Sequence, residues 1–282
     1  MYWSRLKIQI LSLLITNFNF TNLIDGKLYK GPLKNICSPG LNCYSCPAAA
    51  FSCPIGASQT ILGSQRFNFS FYVTGFLLMI GLLFGRAVCG YLCPFGLFQE
   101  ILYKMKSPKY NLWRPLIYVK YIVLIVFVLM LPLITNLGNP AFCEYICPAG
   151  TFEAALPLLA THSEFRNIIG ELFALKMSIL IITIIGCILI YRFFCKLICP
   201  LGAIYGLMNK FSFYHLNFED SLCIKCGKCQ QACKMNINPT CEGNSAECIR
   251  CGDCQRICPK SAINLRVNFF KSSGEINEKY RT

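Results

Sequence analysis

The cysteines of this 282-residue chain stand at spacings that favour metal binding. There are 20 of them, and most fall into short motifs instead of being spread through a polar domain. In the C-terminal part the pattern C-x-x-C-x-x-C-x-x-x-C occurs twice. Thiolates in such runs are typical ligands of iron-sulfur clusters, and the doubling exceeds what structural zinc requires. The two copies are Cys223, Cys226, Cys229 and Cys233, and Cys248, Cys251, Cys254 and Cys258.

The two runs predict a pair of interlocked [4Fe-4S] clusters. In the bacterial two-cluster ferredoxin pattern, the fourth cysteine of each run binds the cluster of the other run. The first predicted ligand set is Cys223, Cys226, Cys229 and Cys258, and the second is Cys248, Cys251, Cys254 and Cys233. From Ser221 to about Val267 the chain resembles bacterial-type ferredoxins, although Lys234 replaces the usual proline after the fourth cysteine of the first copy. Cys241 is surplus and is interpreted as a buried or free thiol.

A shorter phrase, Cys-Pro-x-Gly, occurs four times, and one apolar stretch separates each copy from the next. Because a hydrophobic span reverses sides, the copies are expected to alternate between the two faces of a membrane. The last three copies extend to C-x-x-x-C-P. The four copies are Cys53-Pro54-Ile55-Gly56, Cys93-Pro94-Phe95-Gly96, Cys147-Pro148-Ala149-Gly150 and Cys199-Pro200-Leu201-Gly202.

The alternation collects enough sulfur on each face for a further cluster, since a [4Fe-4S] cluster takes four thiolates. One predicted set is Cys89, Cys93, Cys195 and Cys199. The other, on the opposite face, is Cys53, Cys143, Cys147 and one of Cys43 or Cys46, with Cys37 in the same loop. Two alternatives stay open. Soft thiolates also suit Cu(I) or dithiol redox chemistry, and an oxidising exterior would permit disulfides such as Cys37 with Cys43.

The composition predicts an integral membrane protein. Hydrophobic residues make up 55% of the chain, charged residues 14%, and the mean hydropathy is +0.48, all outside the usual soluble range. The first apolar run resembles a signal peptide, but no cleavage site follows it, so an uncleaved span is expected. The four predicted spans are Leu6 to Ile24, Phe69 to Gly85, Leu116 to Thr135, and Leu172 to Phe194.

Charge distribution orients these spans. The loop after the second span is rich in lysine and arginine, whereas the stretch from Asn136 to Gly170 carries mainly glutamates. The positive-inside rule places the basic loop in the cytoplasm. We therefore expect a multi-pass protein of a prokaryotic cytoplasmic membrane, with both termini and the ferredoxin-like part in the cytoplasm.

The expected fold is an all-α membrane part of about four transmembrane helices, followed by a small α+β ferredoxin domain. Proline directly after a cysteine suits the first turn of a helix, so each Cys-Pro-x-Gly is expected to begin a short helix. These helices are either re-entrant and interfacial or ordinary amphipathic surface helices. The predicted divisions are a transmembrane electron-transfer domain at 1–210, the ferredoxin domain at 211–270 and a flexible tail at 271–282.

Several function classes are disfavoured. The net charge of +14 lies near span ends and in the cysteine-rich tail, not in an aromatic-interleaved groove, so no nucleic-acid partner is expected. The only histidines are His162 and His215, and neither lies in a predicted span, which excludes a bis-histidine haem there. No P-loop, G-x-G-x-x-G or Ser-His-Asp arrangement is apparent. Cys187, alone in the fourth span, is interpreted as a small core hydrophobe.

The C-x-x-x-C-P motifs at Cys89 to Pro94 and Cys195 to Pro200, followed by the double ferredoxin pattern, resemble the membrane polyferredoxin family. That family includes the quinol-dehydrogenase subunit of periplasmic nitrate reductase systems, the nitrous oxide reductase maturation regulator and a copper-handling accessory protein of cytochrome oxidase assembly. This chain departs from it by a third motif at Cys143 to Pro148 and by a cysteine-rich loop from Cys37 to Gly56. The resemblance implies membrane electron transfer without assigning a terminal partner.

Taken together, the motifs predict an iron-sulfur membrane protein that moves electrons between a quinol pool or extracytoplasmic partner and a cytoplasmic oxidoreductase. Quinol oxidation would make it a subunit of an oxidoreductase, a quinol dehydrogenase, but no quinone site is defined by the sequence. The alternative is a copper-handling or maturation factor whose membrane thiols bind the metal and whose ferredoxin part supplies electrons. A membrane anchor that only recruits partners would leave all the redox ligands unexplained.

Overall fold

The computed structural model describes residues 2–63, 71–135, 139–162, 164 and 170–267, and most of them are helical. The predicted tail at 271–282, residues 69–70 of the second predicted span and the end of the ferredoxin domain at 268–270 lie outside these residues. The first helices are α1 (Tyr2–Thr16), α2 (Thr21–Asp25), α3 (Pro54–Gly63), α4 (Phe71–Phe84), α5 (Ala87–Tyr91) and α6 (Pro94–Tyr103).

The middle of the chain contains the longest helices. Helix α7 (Arg114–Thr135) includes a π-helical stretch at Leu124–Met130. Helix α8 follows a π-helical turn at Phe142–Ile146 and runs through Pro148–Gly150, Thr151–Ala155 and Leu156–Thr161. Next come α9 (Glu171–Leu189), α10 (Phe193–Leu197) and α11 (Pro200–Met208). The C-terminal part contains β1 (Tyr214–Phe218), α12 (Lys228–Gln231), α13 (Pro239–Glu242), α14 (Asp253–Ile257) and β2 (Ile263–Val267).

Among the described residues, two helices are long and apolar enough to cross a membrane. Helix α7 has 22 residues with a mean hydropathy of 2.6, and α9 has 19 residues with a mean hydropathy of 2.5. They correspond to the third and fourth predicted spans, although α9 ends five residues earlier than predicted, at Leu189. The chain turns there, and Arg192 adopts a left-handed backbone with φ of 52°. Helix α4, within the second predicted span, is apolar but has only 14 residues.

The first predicted span differs most from the structure. A single helix over Leu6 to Ile24 is not formed, because α1 ends at Thr16 and the chain restarts as the short α2. At the break, the Thr16 hydroxyl donates to the Ser12 carbonyl at 2.8 Å, and the Asn17 amide donates to the Leu13 carbonyl at 3.3 Å. Such side-chain bonds to the preceding turn compete with continued helix. Four unbroken spanning helices are therefore not observed in the described residues.

Helix α1 has its polar face turned inward. Arg5, Gln9, Ser12 and Thr16 recur on one side of the helix and are buried against the protein. The apolar side chains of this helix face outward. They are Ile8, Ile10, Leu11, Leu14 and Ile15, each at least 40% exposed. This is the reverse of the pattern in a helix that packs on a water-soluble core.

The interior polar groups of α1 meet a buried charge network. Arg5 and Arg192 both pair with the Glu100 carboxylate of α6, and the Tyr191 hydroxyl donates to the same carboxylate at 2.8 Å. Arg192 is fully buried. Burial raises the pKa of Glu100, but the two guanidinium groups outweigh that effect and hold the pKa below its usual value. Glu100 is therefore a carboxylate at neutral pH, and it compensates two buried cations.

The C-terminal part has the duplicated construction that its cysteine pattern predicts. Strands β1 and β2 form an antiparallel pair that runs from Tyr214 opposite Val267 to Phe218 opposite Ile263. Left-handed backbone recurs at the same positions of both copies, 25 residues apart in every case. The matching pairs are Lys225 and Arg250, Gly227 and Gly252, and Asn236 and Ser261.

Candidate iron-sulfur sites

Each Cys-Pro-x-Gly motif begins a helix with the cysteine as the residue before the first turn. Pro54, Pro94, Pro148 and Pro200 occupy the first helical position of α3, α6, α8 and α11. There the missing proline N–H costs no hydrogen bond, as predicted. The sulfur of Cys199 accepts a hydrogen bond from the Gly202 N–H at 3.4 Å. The motif thus points a sulfur at the positive end of a helix, which stabilises a thiolate.

Four buried cysteines meet where the second and fourth motifs face each other. This group, the proximal site, consists of Cys89, Cys93, Cys195 and Cys199, the set predicted from the sequence. Burial raises the pKa of Cys89 to about 11, whereas a hydrogen bond from Cys199 lowers the pKa of Cys195 to about 6. Binding of iron would therefore have to displace protons from some of these thiols.

Two arginines cross between the motifs of the proximal site. Arg86 donates to the Cys195 carbonyl at 2.8 Å, and Arg192 donates to the Cys89 carbonyl. Each arginine lies three residues before the first cysteine of its own motif, so the arrangement is approximately two-fold symmetric. The motif glycines leave room for this crossing. A Cβ on Gly96 would lie 3.2 Å from the Arg192 guanidinium and 3.0 Å from the Cys89 carbonyl oxygen.

A second group of cysteines, the distal site, forms between the first and third motifs. It consists of Cys43, Cys53, Cys143 and Cys147, whose charges influence one another. Of the two candidates that the sequence left open, Cys43 joins this group, because its sulfur would lie 3.4 Å from a Cβ on Gly150. Cys46 packs beside Ala48, Ala49 and Ala154, and Cys43 borders the same cluster. The distal and proximal sites adjoin each other, because cysteines of both contribute to one apolar core.

The loop between α2 and α3 is inserted into the protein instead of lying over its surface. Ser38, Leu41 and Asn42 of this inserted loop (residues 37–53) are almost completely buried. Its Gly40 touches the proximal site, since a Cβ there would lie 2.7 Å from the Cys93 Cα. The Tyr205 hydroxyl of α11 donates to the Pro39 carbonyl at 3.0 Å. Because the same loop also supplies Cys43 and Cys53 of the distal site, it lies against both sites.

Helix α1 contacts residues beside both sites, so the rise along the helix between these two contacts can be compared with the thickness of a bilayer. Gln9 donates to the Gly90 carbonyl at 3.0 Å, beside the proximal site, and the Thr16 carbonyl accepts from the Ala50 N–H at 2.9 Å, near the distal site. Seven residues of α-helix rise ~10 Å. That is about a third of a hydrocarbon core of ~30 Å.

The C-terminal part contains two further groups of cysteines. The first tail site is a cavity of about 270 Å³ lined by Cys223, Cys226, Cys229 and Cys258. The second tail site is Cys233, Cys248, Cys251 and Cys254. Burial, and then the neighbouring Cys251, Cys248 and Cys233, raise the pKa of Cys254 to about 12. Both groups have the composition predicted from the ferredoxin pattern. The surplus Cys241 also lines the cavity of the first tail site.

The second tail site lies directly against the proximal site. Asn209, at the end of α11, donates to the Cys248 carbonyl at 2.8 Å, and the Tyr91 hydroxyl lies 3.5 Å from the Cys251 carbonyl. Gly90 allows a close approach, since a Cβ there would lie 2.7 Å from the Ile249 carbonyl oxygen. Residues next to the proximal-site cysteines are thus in direct contact with residues of the second tail site.

A buried ion triad holds this contact. Glu247, the residue before Cys248, pairs with Arg86 at 2.8 Å and with Lys120 of α7. Arg86 and Lys120 are fully buried. Burial raises the pKa of Glu247, but the two cations outweigh it and the pKa lies below its usual value. Sequence inspection did not identify these residues. The only signal was a glutamate beside a ligand cysteine and a lysine inside an apolar span.

No three His, Cys, Asp or Glu side chains among the described residues are placed to hold a single metal ion. A mononuclear site needs sulfurs that converge within about 2.3 Å of one centre. A four-iron cluster instead takes each thiolate on a different iron, so its ligands stand further apart. Each of the four cysteine groups supplies four thiols, which is the donor set that a four-iron cluster takes.

Comparison with known proteins bears on the same cysteines. The family profile described as a 4Fe-4S binding domain matches residues 67–112, 121–158 and 174–216. Each matched stretch contains one C-x-x-x-C-P motif, so three of the four motif cysteines at Cys-Pro-x-Gly fall in this profile. No solved structure matches the chain.

Relatives of the chain extend the comparison. An uncharacterized protein of Methanocaldococcus jannaschii is 31% identical over 207 residues, which cover 70% of this chain and 79% of that protein. The putative electron transport protein YccM of Escherichia coli is 24% identical, over 57% of this chain and 44% of its own length. The regulatory protein NosR of Stutzerimonas stutzeri is 30% identical, over 47% of this chain and 18% of its own length.

These similarities define the class of the protein as an iron-sulfur protein of the electron transport type. The chain belongs to the 4Fe-4S binding domain family, and the predicted membership of the polyferredoxin group is confirmed. It spans less than half the length of YccM and less than a fifth of NosR.

Proposed function

We propose that the chain is a membrane electron conduit with four [4Fe-4S] clusters in series. Their ligands would be the cysteines of the first tail, second tail, proximal and distal sites, in that order. Bound clusters would supply one-electron redox chemistry. The observation that carries the proposal is the direct packing of the second tail site on the proximal site, through Asn209, Tyr91 and Arg86. It leaves no segment between the ferredoxin part and the membrane part for electrons to cross.

The outward apolar faces support a membrane setting for this conduit. Two of the described helices have spanning length, and α1 buries Arg5 and Gln9 while its outward face is mostly apolar apart from the exposed Lys7. We propose a multi-pass protein in which α1 and α4 also lie in the bilayer. Arg5, near the start of α1, donates to the Gly90 carbonyl, and Gly90 in turn lies against Ile249 of the second tail site, which supports placing the start of α1 and the ferredoxin part on one side of the protein. The basic loop after α4 assigns that side to the cytoplasm.

The electron donor is proposed to be a quinol that binds at the edge of the membrane. A cleft of about 250 Å³ opens between the start of α7 and the ferredoxin part, near both Cys195 and Cys233. Its walls include apolar Leu112 and Ile117, and its polar groups include Lys196 and Glu242. Trp113 and Tyr118, next to the cleft, are about 70% exposed, as in an interfacial aromatic belt. Quinol oxidation would release two electrons and two protons, and the electrons would leave singly.

Filling the cleft tests the quinol proposal. Ile117→Trp is expected to block reduction of the clusters by a quinol analogue, because the indole would occupy the space for the head group. Dithionite should still reduce the same clusters. Ile122→Trp, an exposed position on the same helix, is the matched control and should leave quinol reduction unchanged. Equal quinol reduction in both variants would show that the donor does not use this cleft.

Iron analysis tests the conduit itself. Anaerobically purified protein is expected to contain about 16 irons and an equal amount of sulfide per chain, because each of four clusters holds four irons. About eight irons together with bound copper would favour the copper-handling alternative.

A cysteine-independent reporter fused after Thr282 should be active in the cytoplasm, and activity on the other side would reverse the proposed orientation.

A further inference from the structure

One position recurs in all four helices that follow a Cys-Pro-x-Gly motif. It lies six residues after the capping cysteine, in the second turn, and points toward the cysteine groups. Its occupants are Gln59, Gln99, Glu153 and Tyr205. Three of them are completely buried, with Glu153 partly buried. A buried polar side chain at each equivalent position calls for an explanation, because burial without a partner is costly.

In the proximal site, Gln99 contacts the sulfur of a predicted ligand. Its amide nitrogen lies 3.0 Å from the Cys195 Sγ and 3.3 Å from the Phe95 carbonyl one turn earlier. Its amide oxygen accepts from the Cys195 N–H at 3.4 Å. A primary amide has two N–H donors and one carbonyl acceptor, so each group of Gln99 has a partner.

In the distal site, Gln59 makes the same set of contacts. Its amide nitrogen lies 3.5 Å from the Cys143 Sγ and 3.2 Å from the Ile55 carbonyl. Its amide oxygen accepts from the Phe142 N–H at 2.8 Å. In both sites the glutamine comes from the earlier motif and reaches the first cysteine of the later motif. Because the same amide-to-sulfur contact occurs at equivalent positions of both sites, we interpret it as a specific feature of the motif.

The other two positions serve a different purpose. The Glu153 carboxylate accepts a hydrogen bond from the Cys43 N–H at 2.7 Å, and Tyr205 donates to the Pro39 carbonyl at 3.0 Å. Both partners belong to the inserted loop. The later motif of each pair therefore holds the inserted loop, whereas the earlier motif provides a glutamine that contacts a ligand sulfur.

We infer that Gln59 and Gln99 set the reduction potentials of the distal and proximal clusters by donating a hydrogen bond to one ligand sulfur in each. This inference rests on the proposed presence of clusters at these sites. A donor stabilises the reduced cluster more than the oxidised one, because reduction increases the negative charge on the sulfurs. Gln59 and Gln99 are positioning residues for electron transfer and are not ligands.

The test replaces each amide with a side chain of similar length that has no donor. In Gln99→Met, the ratio of reduced to oxidised proximal cluster at a fixed ambient potential is expected to fall about five- to tenfold, and a tenfold change in this ratio corresponds to about 59 mV for a one-electron couple. Gln59→Met should shift only the distal cluster. Gln9→Met is the matched control, since Gln9 is equally buried but donates to the Gly90 carbonyl and contacts no sulfur.

The readouts are redox titration followed by electron paramagnetic resonance, with iron content measured on each sample. Full iron content with an unchanged potential in both variants would overturn the inference. Wild-type protein without iron at these sites would instead contradict the proposed function. If Gln99→Met does not retain iron, Gln99→Leu is used, because it removes the donor without adding a charge. Its potential should lie below that of the wild type, whereas an equal or higher potential would reject the inference.

Discussion

Replacing Cys89 and Cys195 together with serine is expected to remove about four of some 16 irons per chain, because each cluster holds four. It should also stop electron flow between the ferredoxin domain and the distal site. The two residues belong to different motifs, so their loss opens the proximal site from both sides. Serine is a poor ligand for iron where thiolate is lost. In a stopped-flow experiment, rapid reduction of the tail clusters should persist while reduction of the distal cluster disappears.

Cys187→Ser is the matched control for this double substitution. Cys187 is also completely buried and lies near the same site, but its thiol contacts the Gln99 amide oxygen at 3.5 Å and is not one of the predicted ligands. The control should retain all its iron and normal transfer. Unchanged iron in the double variant would remove the proximal cluster from the proposal, and loss of iron in Cys187→Ser would mean that the ligand set was chosen incorrectly.

The local parts of this molecule were predictable from the sequence because short motifs determine them. The duplicated ferredoxin runs, the helix starts at Pro94 and Pro200, and the spans at α7 and α9 depend on residues that are close in the chain. Proline geometry and hydropathy are sufficient for such features. The alternation of motifs along the chain was the basis for grouping the second motif with the fourth, and the structure brings the cysteines of these two motifs close together.

The features that the sequence did not reveal depend on contacts between residues that are far apart in the chain. The inserted loop has many small and polar residues and resembles an ordinary external connection, yet Asn42 is completely buried. In the sequence, Arg86 and Arg192 resemble the basic residues that mark the cytoplasmic end of a span. In the structure, each of them donates a hydrogen bond to a cysteine carbonyl of the other motif. Gln59 and Gln99 are unremarkable in the sequence because their partners are 84 and 96 residues away. Only the assembled structure pairs them.

The contact between the ferredoxin domain and the membrane part depends on a carboxylate shared by two buried cations. We expect Glu247→Gln to weaken docking by ~3–5 kcal/mol, because it leaves Arg86 and Lys120 buried without a counter-charge. At 1.4 kcal/mol per factor of ten, the ratio of docked to undocked forms would fall by about two to four orders of magnitude. Electron transfer from the second tail site to the proximal site should slow as the docked fraction falls, and proteases should gain access near residue 211.

Glu242→Gln is the control for Glu247→Gln, since both substitutions neutralise a glutamate that pairs with an arginine of the membrane part. The Glu242 carboxylate lies 3.7 Å from Arg114, whose side chain is 69% exposed. Such a surface pair contributes about 0–1 kcal/mol, so with dithionite as the electron donor, which does not need the quinol cleft, this variant should transfer electrons like the wild type. Adding Lys120→Met to Glu247→Gln removes one uncompensated cation and should recover part of the lost docking. Equal protease sensitivity and transfer rates in the Glu247 and Glu242 variants would mean that the buried triad does not hold the two parts together.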